Sequence, residues 1–315
     1  MNKIKIGVSS CLLGYEVRYN GQHQLDHFIK DTLSQWCNFV PVCPEVECGL
    51  PIPRESMRLV GSLESSRLMT SRTGIDHTER MQKWIKEKLD FLEKEELVAF
   101  IFKTKSPSSG MRKVKIYNDA GHTISYAGTG MFARAFMERF PDIPVEDEGR
   151  LCDPGLREKF IETIFVLQRW RDAVKTGQVK DLILFHSRHK YTLMAHSNEK
   201  LKLLGKLIAK CGTLDFDELI QEYRTILLQL LNLKKTRKKN YNVLLHMLGY
   251  FKLNISSDEK AELLLEAENY YNEITPLIVP LTLIKHYTRK YDEKYLKDQY
   301  YLNPHPVELK LLNHV

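Results

Sequence analysis

The stretch KIKIGVSSCLLG (residues 3–14) carries β-branched residues at Ile4, Ile6 and Val8 and then ends in small and turn-forming residues. This pattern is typical of a buried strand that runs into a loop. Similar strand-like stretches follow at residues 38–47, 97–105, 113–119 and 143–149. Stretches with helical spacing of apolar residues lie at residues 76–96 and 128–140. Because strands alternate with helices, we predict an α/β N-terminal domain with a mostly parallel, Rossmann-like sheet.

The second half of the chain has a different pattern. From about Asp153 onward the strand signals stop, and helix-like segments follow one another to about residue 291. We therefore predict two domains, an α/β domain over residues 1–152 and an all-α domain over residues 153–315. The first helix of the all-α domain is expected to end at Gly177, and a later one to begin with an N-cap near Ser257.

The net charge of +7 is concentrated in the C-terminal half. Residues 156–315 contain 26 Lys and Arg against 19 Asp and Glu, whereas the first 155 residues contain 21 of each kind. This imbalance favours a polyanionic partner for the all-α domain, although ordinary soluble helical domains reach the same charge. No apolar run reaches the ~18 residues of a membrane span, and the N-terminus does not resemble a signal peptide. We expect a cytoplasmic protein that does not contact a membrane.

Four of the six cysteines, Cys11, Cys37, Cys43 and Cys48, fall within the first 48 residues. In a cytosolic chain they do not indicate a disulfide framework. Their spacing matches neither a zinc ribbon nor the ferredoxin run of closely spaced cysteines. The spacing leaves open a metal site or a set of buried structural cysteines. For Cys37, and likewise Cys152 and Cys211, we expect buried small apolar side chains.

Three loops that follow predicted strands contain reactive or polar side chains. Cys11 follows the first strand, Cys43 the second, and Ser109 lies in KSPSSG (105–110) after the third. The carboxyl ends of parallel strands meet at one edge of a sheet, which is where ligands bind. We therefore expect Cys11, Cys43 and Ser109 to converge.

Three motifs in this order resemble those of the thiouracil desulfidase family. They are SSCLLGYEVRYNG (9–21), PVCPEVECGLPIPR (41–54) and KSPSSG (105–110). The segments PVEDEGRL and FHSRHKYTLMAHS are similar to the helical domain that is fused to this unit in longer relatives. In those fused proteins the resemblance implies hydrolytic removal of sulfur from 4-thiouridine in tRNA, without net redox change.

The resemblance also implies a 4Fe–4S cluster that is held by three cysteine thiolates and binds the substrate sulfur at its open iron. The corresponding positions are Cys11, Cys43 and 109, and position 109 is a serine. Ser109 has three interpretations: an engineered Cys→Ser change, a naturally inactive protein, or a weak hydroxyl ligand; Cys48 is a further candidate ligand. Because a serine hydroxyl is a hard ligand with a very high pKa, we predict a weakly held or absent cluster and impaired activity.

The resemblance assigns roles to further residues. Glu45 corresponds to the base that activates water, and Ser106 to a hydroxyl that relays a proton to the ring. Their structural alternatives are a surface carboxylate after a proline and an ST-turn residue before Pro107. The substrate-binding candidates are Arg18, Asn20, Arg54, Lys105 and Ser108. Arg18 and Arg54 are expected to contact phosphates that flank an extruded base.

The basic run LKKTRKKN (233–240) is the strongest nucleic-acid signal. The RNA-binding candidates are Lys234, Lys235, Arg237, Lys238, Lys239, Arg188 and Lys190. For each residue the alternative is a solvated base beside core aromatics. The expected partner is tRNA, and no protein partner is predicted. Two other functions remain open, a non-catalytic RNA-binding protein and a desulfidase of free thiobases.

Overall fold

The structure is a computed structural model that describes residues 3–309 and residue 311. Over these residues it confirms the α/β N-terminal region and the helical C-terminal region. The chain divides into two units, Met1–Phe160 and Ile161–Val315, and this division falls inside the helix Pro154–Lys175. The domain boundary predicted after residue 152 stays a prediction.

The N-terminal unit contains two four-stranded sheets among its described residues. The strands are β1 (Ile4–Ser9), β2 (Cys37–Val42), β3 (Met57–Gly61), β4 (Ser66–Thr70), β5 (Ala99–Phe102), β6 (Val114–Tyr117), β7 (Thr123–Gly128) and β8 (Val145–Asp147). The first sheet has the order β2-β1-β5-β8 and is parallel throughout, with Gly7 of β1 opposite Phe100 of β5. The predicted parallel sheet is therefore confirmed, and β1 lies inside it.

The second sheet was only partly predicted. Its order is β4-β3-β6-β7, with β3 antiparallel to β4 and parallel to β6, and β7 antiparallel to β6. The stretch 113–119 does form a strand, but β6 belongs to this second sheet and not to the sheet of β1. Strands β3, β4 and β7 were missed because they are short and partly exposed, so they lack a continuous buried apolar run.

Two longer helices pack the core of the N-terminal unit. The helices of this unit are α1 (Pro44–Glu47), α2 (Thr78–Lys94) and α3 (Met131–Arg139). Phe100 and Phe102 of β5 stack at a ring-centroid distance of 4.3 Å, and both rings contact Phe132 and Phe136 of α3 at 4.8–6.1 Å. Buried aromatic pairs of this kind fix the relative position of β5 and α3. The loop that follows β5 is thereby held between rigid elements.

The C-terminal unit is helical and begins within α4 (Pro154–Lys175), and seven further helices follow among the described residues. They are α5 (Val179–His196), α6 (Asn198–Ala209), α7 (Phe216–Asn232), α8 (Arg237–Leu248), α9 (Ser257–Tyr271), α10 (Ile278–Lys290) and α11 (Lys294–Lys297). The predicted stop at Gly177 is confirmed by its left-handed backbone, φ +65°. The N-cap of α9 is Ser256 and not the expected Ser257, because Ser256 forms a capping box with Glu259. Among the described helices, none is both long and apolar enough to span a membrane.

Candidate active site

The ends of β1, β2 and β5 surround one cavity of about 480 Å³ in the N-terminal unit. Cys11 lies in a 3-10 turn directly after β1, Cys43 caps the start of α1 after β2, and Ser109 lies in the loop after β5. All three line the cavity. The convergence that strand order suggested is therefore present, because β2, β1 and β5 are neighbours in a parallel sheet.

The start of α3 holds the loop of residues 105–110 through backbone hydrogen bonds. The Phe132 amide donates to the Ser108 carbonyl at 2.9 Å, and the Gly130 amide donates to the Gly110 carbonyl at 2.7 Å. A Cβ atom at Gly130 would lie 2.6 Å from the Ser108 carbonyl oxygen, and one at Gly110 would lie 2.6 Å from the Ser106 carbonyl oxygen. Glycine is required at both positions because the backbones approach so closely.

Both cavity thiols have a raised pKa. Burial raises the pKa of Cys11 to about 11, although the nearby positive charge of Lys103 lowers it in part. Burial likewise raises the pKa of Cys43 to about 11. A thiolate-binding metal therefore has to displace a proton from each thiol.

The three positions at which the family resemblance expects cluster ligands carry two thiols and one hydroxyl. Ser109 is 4 % exposed and lines the cavity with Cys11 and Cys43, at the position where the family resemblance expects a third thiolate. Within the described residues, no cluster of three or more His, Cys, Asp or Glu side chains is placed to hold a metal. Two of the three expected ligand positions therefore carry a thiol that suits a 4Fe–4S cluster, and the third does not.

Cys48 does not supply the missing thiol. Its Sγ donates to the Glu45 carbonyl at 3.2 Å, and its side chain packs against the apolar core. Of the other cysteines, Cys37 is buried as expected, but Cys152 is exposed and Cys211 is partly exposed. The expectation of buried side chains was wrong for Cys152 and Cys211, which lie in a 3-10 turn and at a helix end next to solvent.

The carboxylate of Glu45 is held on both oxygens by two residues that line the cavity, Arg54 and Ser108. Oε2 accepts from the Arg54 guanidinium, with Nε at 2.9 Å and Nη2 closer, and Oε1 accepts from Ser108 Oγ at 2.9 Å. The side chains of Glu45 and Arg54 are only 14 % and 6 % exposed. Glu45 is thus a buried, oriented carboxylate and not a surface group. The expected phosphate contact of Arg54 finds no support, because its guanidinium is occupied by Glu45 and by the Val17 carbonyl.

Ser106 continues this hydrogen-bond chain. Its Oγ accepts from the amides of Ser108 and Ser109 at 3.3 and 3.1 Å, which is the expected ST-turn geometry. The same Oγ lies 3.0 Å from Ser108 Oγ. Ser106, Ser108 and Glu45 therefore form a continuous chain of hydrogen-bonding groups, of which Ser106 and Ser108 line the cavity.

The other predicted substrate-binding residues divide into two groups. Arg18 and Lys105 line the cavity, whereas Asn20, which the structure describes as exposed and bonded to Gln22, does not. The sequence pattern did not predict the Lys103–Glu148 ion pair, in which the ammonium of the cavity-lining Lys103 contacts the carboxylate of Glu148. Glu148 follows β8, the neighbour of β5, so the same strand-end argument applied to β8 would have found it.

In the C-terminal unit, most of the predicted RNA-binding cations hold the unit together. Lys235 pairs with Glu162, Arg237 pairs with Glu273 at 3.0 Å, and Lys239 donates to the His196 carbonyl at 2.6 Å. Outside the run, Arg188 pairs with Asp298 at 3.3 Å and Lys190 lies 5.8 Å from the centre of the Tyr295 ring. Lys234 and Lys238 are exposed. The basic run thus has both internal and solvent-facing members.

Comparison with known proteins adds two family matches. Residues 6–148 match a family model described as 2-thiouracil desulfurase, and residues 190–306 match one described as a protein of unknown function, DUF1722.

Two curated relatives and one solved structure are also similar to this chain. The uncharacterized protein YbgA of Escherichia coli is 31% identical over 150 residues, which cover 47% of this chain and 89% of YbgA. The uncharacterized protein YbbK of Bacillus subtilis is 31% identical over 131 residues, which cover 40% of this chain and 85% of YbbK. The solved structure of the 4Fe–4S-dependent thiouracil desulfidase TudS has 31% sequence identity and a TM-score of 0.40, and covers 50% of this chain and 99% of that chain.

Proposed function

Because this chain belongs to the 2-thiouracil desulfurase family, we propose that it is built for hydrolytic desulfidation of 4-thiouridine in tRNA. The observation that carries the proposal is the convergence of Cys11 and Cys43 on one cavity, two of whose lining residues, Arg54 and Ser108, hold the carboxylate of Glu45. The +7 charge of residues 156–315 supports a polyanionic substrate over a free base.

A 4Fe–4S cluster, when bound, supplies a soft Lewis acid that binds the thiocarbonyl sulfur and withdraws charge from the ring. In this chain Cys11 and Cys43 are the residues that would hold it, with Ser109 at the third position. A serine hydroxyl is a poor substitute for a thiolate. We therefore propose that the chain as it stands holds a cluster weakly or not at all and is inactive or impaired.

The protein groups have distinct parts in the proposed hydrolysis. Glu45 takes a proton from the water that attacks the sulfur-bearing carbon, and Arg54 fixes the orientation of the carboxylate. Ser106, linked to Glu45 through Ser108, transfers a proton at the ring. Water adds at carbon, the carbon–sulfur bond breaks and sulfur leaves as hydrogen sulfide, so 4-thiouridine becomes uridine without any change in oxidation state.

Loss of 4-thiouridine from tRNA tests the proposal directly. Thiolated tRNA is incubated with the anaerobically reconstituted Ser109→Cys variant, and the nucleosides are quantified by mass spectrometry. Conversion of 4-thiouridine to uridine is the expected result. Turnover of free thiouracil with tRNA left intact would instead identify a thiobase desulfidase.

Ser109 specifically favours a second candidate function, that of a non-catalytic RNA-binding protein. This candidate predicts that the chain binds tRNA and that neither it nor the Ser109→Cys variant removes sulfur. The same mass-spectrometric assay, combined with a tRNA-binding measurement, distinguishes the two functions.

The role of Glu45 is tested by Glu45→Gln in the Ser109→Cys background. We expect turnover to fall at least about a hundredfold, because the amide cannot accept the proton of water. Iron content should stay unchanged, because Glu45 is not one of the thiol positions. Glu87→Gln, on the exposed side of α2, is the matched control and should keep full turnover. Equal turnover of the Glu45→Gln variant would remove Glu45 from the mechanism.

The exposed members of the basic run are tested by the double variant Lys234→Ala/Lys238→Ala. We expect weaker tRNA binding. The slope of log K against log salt concentration should become shallower by about 2, because each lysine neutralises about one phosphate. Thermal stability should not change, because both side chains are exposed. Lys252→Ala/Lys260→Ala, exposed elsewhere in the same unit, is the control. An unchanged salt slope would exclude this run from the RNA interface.

A further inference from the structure

We propose that the outer face of the second sheet binds a single-stranded segment of RNA and stacks its bases on two tyrosine rings. This outer face is the side of the sheet that carries Arg58, Lys115, Tyr117, Ile124 and Tyr126. The inference goes beyond the proposed function, because a stacking surface binds RNA whether or not the RNA contains sulfur.

The two faces of the second sheet have different surroundings. Leu59, Leu68 and Ile116 point into the core of the N-terminal unit, and all three are fully buried. Their neighbours along each strand point the other way, because side chains alternate across a strand. On that side Ile124 and Tyr126 of β7 are 55% and 63% exposed. The outer face is therefore open to solvent at β7.

Two cations lie beside the two tyrosine rings of the outer face. The Lys115 ammonium is 5.6 Å from the centre of the Tyr126 ring, and the Arg58 guanidinium is 5.3 Å from the centre of the Tyr117 ring. Sheet surfaces bind single-stranded RNA by stacking its bases on aromatic rings, while neighbouring cations contact the phosphates. The outer face has both components on three adjacent strands, β3, β6 and β7.

The positive charge of the outer face is not neutralised by the protein. Leu59 lies opposite Ile116 in parallel strands, so the preceding residues, Arg58 and Lys115, also lie side by side. Neither of them forms an ion pair with a carboxylate in the part of the chain that the structure describes, whereas Arg67 on β4 pairs with Asp119 at 2.6 Å. Like charges on adjacent strands repel each other, and a bound phosphate removes this repulsion.

The turn between β6 and β7 holds Arg58 in position. The Gly121 amide donates to the Asn118 carbonyl at 2.9 Å, and Gly121 has a φ of +84°. A Cβ atom at Gly121 would lie 3.1 Å from Nη1 of Arg58, so the guanidinium packs directly against the turn. Its Nε has no hydrogen-bond partner among the described residues. A cation that is fixed in this way loses little conformational freedom when a ligand binds.

The charge of the outer face favours RNA over a second copy of the chain. In a symmetric dimer the same patch contacts itself, so Arg58 and Lys115 of one copy would be brought close to those of the other. Like charges that meet across an interface weaken it, whereas a polyanion is attracted to them. The exposed rings favour a single strand over a duplex, because the bases of a duplex are already stacked on one another.

Fluorescence anisotropy of a labelled short oligouridine, titrated with the full chain, tests the inference. We expect Tyr126→Ala to weaken binding about tenfold, because a stacked base loses its ring. Tyr126→Phe should keep the affinity of the unsubstituted chain, because phenylalanine retains the aromatic face. Phe91→Ala removes an exposed aromatic ring from α2 and is the matched control, which should not change the affinity.

Lys115→Ala tests the contribution of the cations in the same assay. The slope of log K against log salt concentration should become shallower by about 0.7, because one lysine neutralises one phosphate of a single strand. Lys83→Ala, at an exposed position of α2, should leave the slope unchanged. A labelled RNA duplex of the same length should bind the Tyr126→Ala variant and the unsubstituted chain equally.

Unchanged oligouridine affinity of the Tyr126→Ala variant, or an equal loss of affinity for the duplex, would overturn the inference. Sedimentation velocity tests the other occupant. A dimer that Tyr126→Ala dissociates, with oligouridine binding unaffected, would assign the outer face to a second copy and overturn the RNA assignment. Failure of the proposed function shows separately, as 4-thiouridine retained in tRNA after treatment with the Ser109→Cys variant, because oligouridine contains no sulfur.

Discussion

The Ser109→Cys variant is expected to hold about four irons and four sulfides per chain after anaerobic reconstitution, whereas the unsubstituted chain holds far less. The reason lies in the donor set, which has two thiols and one hydroxyl around one cavity. Replacement of the Ser109 hydroxyl by a thiol gives three thiolate ligands. Three ligands to a four-iron cluster leave one iron open for the substrate. The same variant should gain desulfidation of 4-thiouridine from a level near zero.

Iron and sulfide assays, the visible absorbance of the cluster and electron paramagnetic resonance measure this outcome. Cys43→Ser in the Ser109→Cys background should lose the cluster again, because it restores a two-thiol set. Cys48→Ser should keep it, because the Cys48 thiol is directed to the Glu45 carbonyl and the core. A stable cluster of about four irons in the unsubstituted chain would contradict the prediction and make Ser109 a working ligand.

Lys235→Met is expected to destabilise the C-terminal unit by about 3–5 kcal/mol, because it leaves the buried carboxylate of Glu162 without its cation. Glu162 is 5 % exposed, and it binds Lys235 on one oxygen and His196 Nε2 at 2.9 Å on the other. Burial alone would raise the pKa of Glu162, but the charge of Lys235 and the hydrogen bond from His196 outweigh it. Together they lower the pKa to about 2.

The depressed pKa of Glu162 also predicts a pH dependence. A carboxyl whose folded pKa lies below its unfolded value of 4.5 stabilises the fold above pH 4.5. This stabilisation, about 3 kcal/mol, is lost as the pH falls toward 2. Glu162→Gln should therefore flatten the decline in unfolding free energy between these pH values.

Chemical denaturation followed by circular dichroism at several pH values measures both effects. Lys235→Arg should keep most of the stability, and Lys238→Met, at an exposed position of the same run, should change it by less than about 0.5 kcal/mol. Equal stability of the Lys235→Met and Lys238→Met variants would contradict the structural role of Lys235.

The convergence of three residues of the candidate site was predictable from the sequence, and the reason is topological. Cys11, Cys43 and Ser109 each follow a strand of one parallel sheet, so strand order alone brings them to one edge. The second sheet was not accessible, because its strands have one exposed face and pair partly antiparallel. Partly exposed strands carry no continuous apolar run that a sequence pattern can detect.

The roles of the charged residues were the hardest part to predict. The sequence shows that Lys235 lies beside four other cations. It does not show that Lys235 contacts Glu162 in the fold, because Glu162 is 73 residues away in the chain. In the same way, the sequence suggested that Arg54 binds phosphate, whereas the structure shows an ion pair between Arg54 and Glu45. Charge composition predicts a partner for the whole unit. Only the tertiary structure distinguishes the cations that are paired internally from those that face solvent.

The backbone hydrogen bonds between α3 and residues 105–110 have a practical consequence for spectroscopy. Because the Phe132 and Gly130 amides fix this turn through the Ser108 and Gly110 carbonyls, its shape does not depend on the side chain at position 109. Exchange of oxygen for sulfur at that position therefore alters one atom and leaves the surrounding scaffold in place. The serine form, which we propose holds little or no cluster, is thus the matched reference for the optical and magnetic signals of the thiol form.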